Sequence, residues 1–318
     1  MRRALLAFRS MGCECSVRLE SCAYTQDELD ALASAVRGQL ELADRTLTRF
    51  DAASELSALN RDPRAVVPAS PLLAALARAA GWAGDVSGGL VDATRLGALE
   101  ALGYDHSRDG WDGADLDAAL AAAPARRPAR PDPSRDWASV HVDASRRVVR
   151  PPGVRLDSGG LAKGLAADLA GAALPAGVRF AIGCGGDLVV GPGEGLGPWD
   201  IDVAGVRGGA VHRLRVRAGG IATSGVHTRL WRRDDGSWAH HLLDPATGEP
   251  AWTGLLAVTA VGVGALEAEV LAKTALLSGP AAARRRLRRL GGVLQHDDGR
   301  VEVIAPAPVV RLPRPVAA

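Results

Sequence analysis

The sequence predicts an α+β fold, with helices concentrated in the first third of the chain and short strands in the rest. Hydrophobic residues make up 47% of the 318 residues and charged residues 23%, the balance of an ordinary globular protein. Helix signals cluster before residue 102 and β-type runs cluster after residue 138, an order that favours α+β over a strictly alternating, doubly wound sheet. We therefore expect one large domain over residues 1–304, built from mixed or antiparallel sheets with flanking helices.

The first elements are predicted from periodicity and from capping residues. Residues 12–20 alternate apolar and polar side chains, which is the period of a half-buried strand. Thr25 and Glu28 then have the spacing of a capping box, ahead of apolar residues that share one helical face as far as Leu47. This pattern predicts a strand followed by a long helix.

Two further helices and a connector follow. Ser70 and Pro71 supply N-cap and N1 chemistry for a second helix, and residues 92–102 form a third helical stretch. The prolines within residues 123–134 predict an exposed connector, and we expect the Pro-rich tail 305–318 to be loose.

Beyond residue 138, short runs rich in β-branched and apolar residues predict strands, interspersed with three helical segments. The predicted strands cover 139–143, 179–183, 199–205, 211–217, 238–243 and 255–263, and the predicted helices cover about 160–174, 265–278 and 280–290.

Charge, hydropathy and cysteine content exclude several classes of protein. The 38 basic and 36 acidic residues are spread along the chain and leave a net charge of +2, so no nucleic-acid-binding face is expected. The apolar run 255–266 is too short to span a membrane. The apolar stretch 4–8 is too short for a secretory signal, so we expect a cytoplasmic protein. The four cysteines lack paired spacing and predict neither a zinc site nor a disulfide framework.

The first candidate site is the segment Leu156 to Gly164, which contains Asp157, the pair Gly159 and Gly160, and Lys163 ahead of a predicted helix. Glycines let backbone N–H groups approach an anion, and the helix N-terminus adds partial positive charge, so the segment suits a phosphate. The alternative is a tight strand-to-helix turn without a ligand. Lys163 and Lys273 are the only lysines in a chain that otherwise uses arginine, which favours a functional role for a compact point charge.

A second glycine-rich segment, Gly183 to Asp187, is followed by a strand pattern rather than a helix, which argues against a dinucleotide-binding βαβ unit. We interpret it as a wall packed close to a flat ligand or to another backbone.

His241 stands before the turn sequence Asp244-Pro245-Ala246-Thr247-Gly248, where a side chain at the end of a strand can face a cleft. A satisfied structural histidine is the alternative. Glu269 and Lys273 lie four residues apart on a predicted helix, a spacing ordinarily typical of a surface ion pair, but their neighbours are apolar.

Taken in order, these segments resemble the ApbE family, the FAD:protein FMN transferases. Each motif is weak alone, and the ordered set is specific. The resemblance rests on Met11-Gly12, Thr48-Arg49-Phe50, Ser54-Glu55-Leu56 with Asn60, Gly89 to Thr94, Asp157 to Gly164, Gly185-Gly186-Asp187, Thr223-Ser224-Gly225, His241 to Pro250, and Ala268-Glu269 to Gly279.

The resemblance implies an ApbE-like domain that binds FAD, with its pyrophosphate beside Mg²⁺, and moves FMN onto a Ser or Thr hydroxyl of an acceptor flavoprotein with release of AMP. The acceptor segment would be of the Asp-x-x-Ser/Thr-Gly-Ala-Ser/Thr type. His241 matches the catalytic histidine. The implied FAD-binding residues are Met11, Phe50, Gly89, Leu90, Val91, Asp157, Lys163 and Leu242.

The chain departs from the family at the metal position, which the resemblance assigns to Gly160, Glu269 and Lys273. Family members usually place Asp and Thr where this chain has Glu269 and Lys273. A protonated lysine has no lone pair for a cation, so we hypothesise that the Lys273 ammonium replaces the ion wholly or in part. Two alternatives to a transferase remain, a non-catalytic FAD-binding protein and a pyrophosphatase that yields FMN and AMP.

Overall fold

The computed structural model describes residues 1–107, 115–193 and 195–306. In these residues the chain forms the helices α1 (Gln26–Leu47), α2 (Glu55–Arg61), α3 (Pro71–Ser87), α4 (Leu96–Ala101), α5 (Leu116–Ala122), α6 (Ala162–Ala172), α7 (Ala265–Leu277) and α8 (Gly279–Leu287). The strands are β1 (Arg2–Ser10), β2 (Cys13–Ser21), β3 (Val66–Pro68), β4 (His141–Val142), β5 (Arg147–Val149), β6 (Arg179–Cys184), β7 (Asp187–Gly191), β8 (Trp199–Ala204), β9 (Ala210–Val216), β10 (Gly219–Gly225), β11 (Leu230–Arg232), β12 (Trp238–His240), β13 (Leu255–Gly262), β14 (Gly292–His296) and β15 (Val301–Ile304).

The predicted α+β class is confirmed. The main sheet has eight strands in the order β1-β2-β6-β7-β10-β13-β14-β15, and neighbouring strands pair antiparallel. Consecutive antiparallel strands run in opposite directions, so the chain returns to the same end of the sheet. The β1–β2 turn, the β6–β7 turn and the end of β10 therefore lie together at one end. That end carries the cavity described below.

The sheet is covered by helices on one face and partly by a hairpin on the other. Helices α1, α6 and α7 pack side by side across the first face, and α3 packs over them. Ile182 and Val189 belong to the apolar cluster beneath these helices. Their neighbours Ala181 and Val190 point to the opposite face, where Trp199 of the β8–β9 hairpin covers them.

Local signals in the sequence account for the helix starts. The Thr25 side chain accepts from the Glu28 N–H and the Glu28 carboxylate accepts from the Thr25 N–H, which confirms the capping box of α1. Ser70 caps α3 with Pro71 in its first turn. Strand β1 was not predicted from the sequence. It pairs with β2 through a two-residue turn in which Met11 and Gly12 have φ of 50° and 66°, an unusual conformation for Met.

Residues 123–134 contain neither helix nor strand, and their backbone is held against the domain. The Arg127 N–H donates to the Trp252 carbonyl at 3.0 Å and the Ala129 N–H donates to the Leu277 carbonyl at 2.8 Å. Most of the predicted loose tail, residues 307–318, lies outside the described residues. Among the described helices, none has the length and apolar character needed to cross a membrane.

Candidate functional site

A cavity of about 490 Å³ opens at the end of the sheet where the β1–β2 turn, the β6–β7 turn, the end of β10 and the N-terminus of α6 meet. It brings together residues that are far apart in sequence. Of the predicted site residues, those on its wall are Met11, Phe50, Leu90, Val91, Asp157, Gly160, Lys163, His241, Leu242 and Lys273.

Two predicted residues do not lie on this wall. Gly89 follows the left-handed Gly88 that ends α3, and a Cβ atom at Gly89 would lie 3.0 Å from Pro131 and 3.1 Å from the Trp137 indole nitrogen. Gly89 therefore faces the connector, and only Leu90 and Val91 reach the cavity. Glu269 is completely buried beneath the cavity floor, where it contacts groups that do line the cavity.

The glycine turn before α6 is held in place from both sides. The Ser158 hydroxyl donates to the Leu47 carbonyl at 2.7 Å, and the Ser158 carbonyl accepts from the N–H groups of Leu161 and Ala162. The Asp157 carboxylate accepts from the Gly159 N–H and forms an ion pair with Arg49 at 2.9 Å. The turn thus presents Gly159 and Gly160 to the cavity at the positive end of an eleven-residue helix.

Helices α6 and α7 approach very closely at Gly164. A Cβ atom there would lie 2.8 Å from the Ala265 carbonyl carbon and from the Leu266 Cα, so only glycine fits without displacing backbone. The Gly164 N–H donates to the Glu269 Oε2 at 3.0 Å. This contact places Glu269 next to Lys163.

A cluster of four charged side chains lies under the glycine turn. Lys163 Nζ lies 3.0 Å from Asp187 Oδ2 and 3.4 Å from Glu269 Oε1, and Lys273 Nζ lies 2.9 Å from the same Glu269 Oε1. Burial acts to raise the pKa of Glu269, but the ammonium groups of Lys273 and Lys163 outweigh it and lower that pKa. Burial also raises the pKa of Asp187, with Glu269 adding to the effect. Asp187 belongs to the Gly185-Gly186-Asp187 motif, but it was not predicted from the sequence as a site residue.

The residues present at the implied metal position do not fit Mg²⁺. Glu269 Oε1 is in contact with two ammonium groups, and its Oε2 accepts from a backbone N–H. The Lys273 ammonium offers no lone pair. Within the residues that the structure describes, no group of three or more His, Cys, Asp or Glu side chains is arranged to hold a metal ion.

His241 reaches the cavity because strand β12 ends one residue before it. The preceding His240 is buried, with its ring edge-on to Trp252 at 4.8 Å, and the alternation of side chains turns His241 the other way. Burial, followed by the charges of His240 and Lys273, lowers the pKa of His241 far below its ordinary value. The imidazole is therefore neutral near pH 7, and its buried Nδ1 has no hydrogen-bond partner among the described residues.

An aromatic stack at the rim of the cavity was only partly predicted. The Arg49 guanidinium lies over the Phe50 ring, 4.2 Å from its centroid, and over the Tyr104 ring, 4.7 Å from its centroid. Arg49 is nearly buried and also donates to the Tyr104 carbonyl at 2.6 Å. The Thr48-Arg49-Phe50 motif indicated Arg49 and Phe50 from the sequence. No local pattern around Tyr104 indicated that its ring packs against Arg49.

Comparisons with known proteins agree with this architecture. The sequence profile of the ApbE family matches residues 11–295. A curated relative, FAD:protein FMN transferase of Treponema pallidum (strain Nichols), is 30% identical over 197 residues, and the match covers 52% of this chain and about half (54%) of that protein.

Three solved structures share the fold over nearly the full length of both chains. They are the ApbE protein of Thermotoga maritima (TM-score 0.77, 23% identity, 95% of this chain and 96% of that one), the apo flavinyl transferase ApbE of Pseudomonas stutzeri (0.72, 23%, 96% and 95%) and the flavin transferase ApbE of Vibrio cholerae (0.71, 19%, 95% and 97%). Because the family profile spans most of the sequence, the chain belongs to the ApbE family.

Proposed function

We propose that this protein is an FAD:protein FMN transferase, which moves FMN from FAD to a Ser or Thr hydroxyl of an acceptor flavoprotein and releases AMP. The observation that carries the proposal is the convergence, in one cavity of about 490 Å³, of a glycine turn at a helix N-terminus, two ammonium groups and a neutral imidazole. A cavity of this size is typical of cofactor sites.

The diphosphate of FAD is assigned to the glycine turn and the two lysines. Backbone N–H groups at the start of α6 and the ammonium groups of Lys163 and Lys273 provide positive charge on one side of the cavity. The apolar wall formed by Met11, Leu90 and Val91 suits the flat rings of a flavin. The methyl and ring carbons of a flavin are stabilised by burial against the apolar wall, whereas the diphosphate is stabilised on the side of the cavity that carries the two lysines.

His241 is assigned the role of general base. The acceptor hydroxyl oxygen bonds to the phosphorus of the FMN half, the bond from that phosphorus to the bridging oxygen breaks, and AMP leaves with the electron pair. The hydroxyl proton goes to the imidazole of His241, which lines the cavity and is neutral near pH 7. The two lysines neutralise the charge that develops on the departing phosphate. No step is assigned to Mg²⁺, because the residues present do not fit it.

The test is to incubate the 318-residue chain with FAD and an acceptor domain carrying an exposed Thr in an Asp-x-x-Ser/Thr-Gly-Ala-Ser/Thr segment. We expect mass spectrometry to find FMN bound to that Thr, and chromatography to find AMP in equal amount. An acceptor variant with Ala in place of the Thr serves as the control and should stay unmodified. AMP without an adduct would instead identify a pyrophosphatase, and unchanged FAD would identify a carrier.

A further inference from the structure

The only two lysines of the chain, 106 and four residues from Glu269 in sequence, converge on one oxygen atom of its carboxylate. Lys273 Nζ donates to Glu269 Oε1 at 2.9 Å, and Lys163 Nζ donates to the same oxygen at 3.4 Å. Everywhere else this chain uses arginine as its cation. The chain therefore places both of its ammonium groups around a single carboxylate oxygen, that of Glu269.

Both ammonium groups are fixed beside the glycine turn. A Cβ atom at Gly160 would lie 3.4 Å from the Lys273 Cε, so the lysine side chain passes directly along the turn. The side chains of Lys163 and Lys273 are 26% and 11% exposed and both line the cavity, whereas Glu269 beneath them is fully buried. The carboxylate thus anchors the two cations from below and leaves their open side to a ligand.

The donor count leaves capacity for phosphate oxygens. Each ammonium carries three N–H donors, of which Lys273 uses one on Glu269, and Lys163 has Glu269 and Asp187 as its anionic partners. Two ammonium groups carry the same formal charge as one divalent cation. An ammonium is a compact point charge with three donors, whereas a guanidinium is a planar fork, and this difference favours lysine beside the glycine turn.

We propose that Lys163 and Lys273, anchored on Glu269, together take the place of a divalent cation at the diphosphate of FAD, so that FAD binding and FMN transfer by this chain need no metal. The statement about transfer rests on the proposed function, whereas the statement about FAD binding is tested independently of it.

The first experiment measures by flavin fluorescence how the 318-residue chain binds FAD in EDTA and in millimolar Mg²⁺. We expect dissociation constants that agree within about twofold. Transfer to the acceptor domain should likewise proceed at equal rates in the two buffers. Binding or transfer that appears only with Mg²⁺ would overturn the inference and leave the proposed function standing. FAD that is neither bound nor consumed in either buffer would instead remove the proposed function.

Two double variants test whether FAD binding depends on the positive charge of Lys273 rather than on the stability of the fold. The pair Glu269→Gln with Lys273→Met removes one buried ion pair at similar volume, and we expect it to fold and to bind FAD about 10- to 100-fold more weakly, with no rescue by Mg²⁺. Wild-type affinity in this variant would contradict the inference. The pair Glu269→Asp with Lys273→Thr supplies oxygen ligands, and should bind Mn²⁺ by electron paramagnetic resonance and need Mg²⁺ for FAD binding. Mn²⁺ binding at this site in the wild type would also contradict it.

Discussion

Replacing Gly164 by Ala tests how tightly the contact between α6 and α7 controls the site. The new Cβ would meet the Ala265 carbonyl carbon, the Leu266 Cα and a Glu269 carboxylate oxygen, each at 2.8 Å. Two of these atoms belong to the backbone, so the helices must separate, and overpacking of this kind costs about 1–3 kcal/mol. Alanine returns up to about 1 kcal/mol of helix propensity. If alanine returns the full 1 kcal/mol, the net loss lies at about 0–2 kcal/mol, and we expect it near 2 kcal/mol because backbone cannot swing aside.

Gly38 provides the matched control. It lies on the exposed side of α1 with nothing within 4 Å of a Cβ atom, so Gly38→Ala should stabilise the protein by about 0.5–1 kcal/mol. The two variants carry the same chemical change and should move the midpoint of urea unfolding, followed by circular dichroism, in opposite directions. FAD affinity should fall in Gly164→Ala, because Glu269 and the lysines it anchors shift, and should not change in Gly38→Ala. Equal midpoints in the two variants would refute the argument that α6 and α7 touch at Gly164.

Three further predictions concern the imidazole and a helix cap. His241→Gln should lower the rate of AMP release in the presence of the acceptor by about 10²- to 10⁴-fold with little change in FAD affinity, and a rate within tenfold of wild type, by chromatography, would exclude a general base at this position. The pKa of His241 is lowered far below 6.5, so the base is neutral above that lowered value and is lost only as the pH falls through it. The pH–rate profile should accordingly be flat across pH 6.5, and an acid limb centred at or above 6.5 would contradict the assignment. Thr25→Ala should lower the free energy of unfolding by about 1 kcal/mol, measured in urea, because it removes the N-cap of α1. The control is Ser34→Ala at an exposed position of the same helix, which should change that free energy little.

Several features of this protein were determined by the sequence alone, because they depend on residues a few positions apart. The capping box of Thr25 and Glu28 and the Ser70 cap were readable from spacing, and the structure confirms the helices that they begin. The strand predicted over residues 238–243 is shorter in the structure. Strand β12 ends at His240, since the turn after it is closed by a bridge between Leu243 and Pro250 rather than by a longer ladder.

The meeting of distant residues was decided only by the tertiary structure. The spacing of Glu269 and Lys273 predicted their pairing, but Lys163 reaches the same carboxylate because α6 and α7 pack without a gap at Gly164, which no local pattern reveals. Tyr104 meets Arg49 at the cavity rim and Gly89 turns away from the cavity, and no local pattern reveals either arrangement. Local periodicity specifies which face of an element is apolar, whereas strand register and helix packing determine which side chains from separate elements share a cavity.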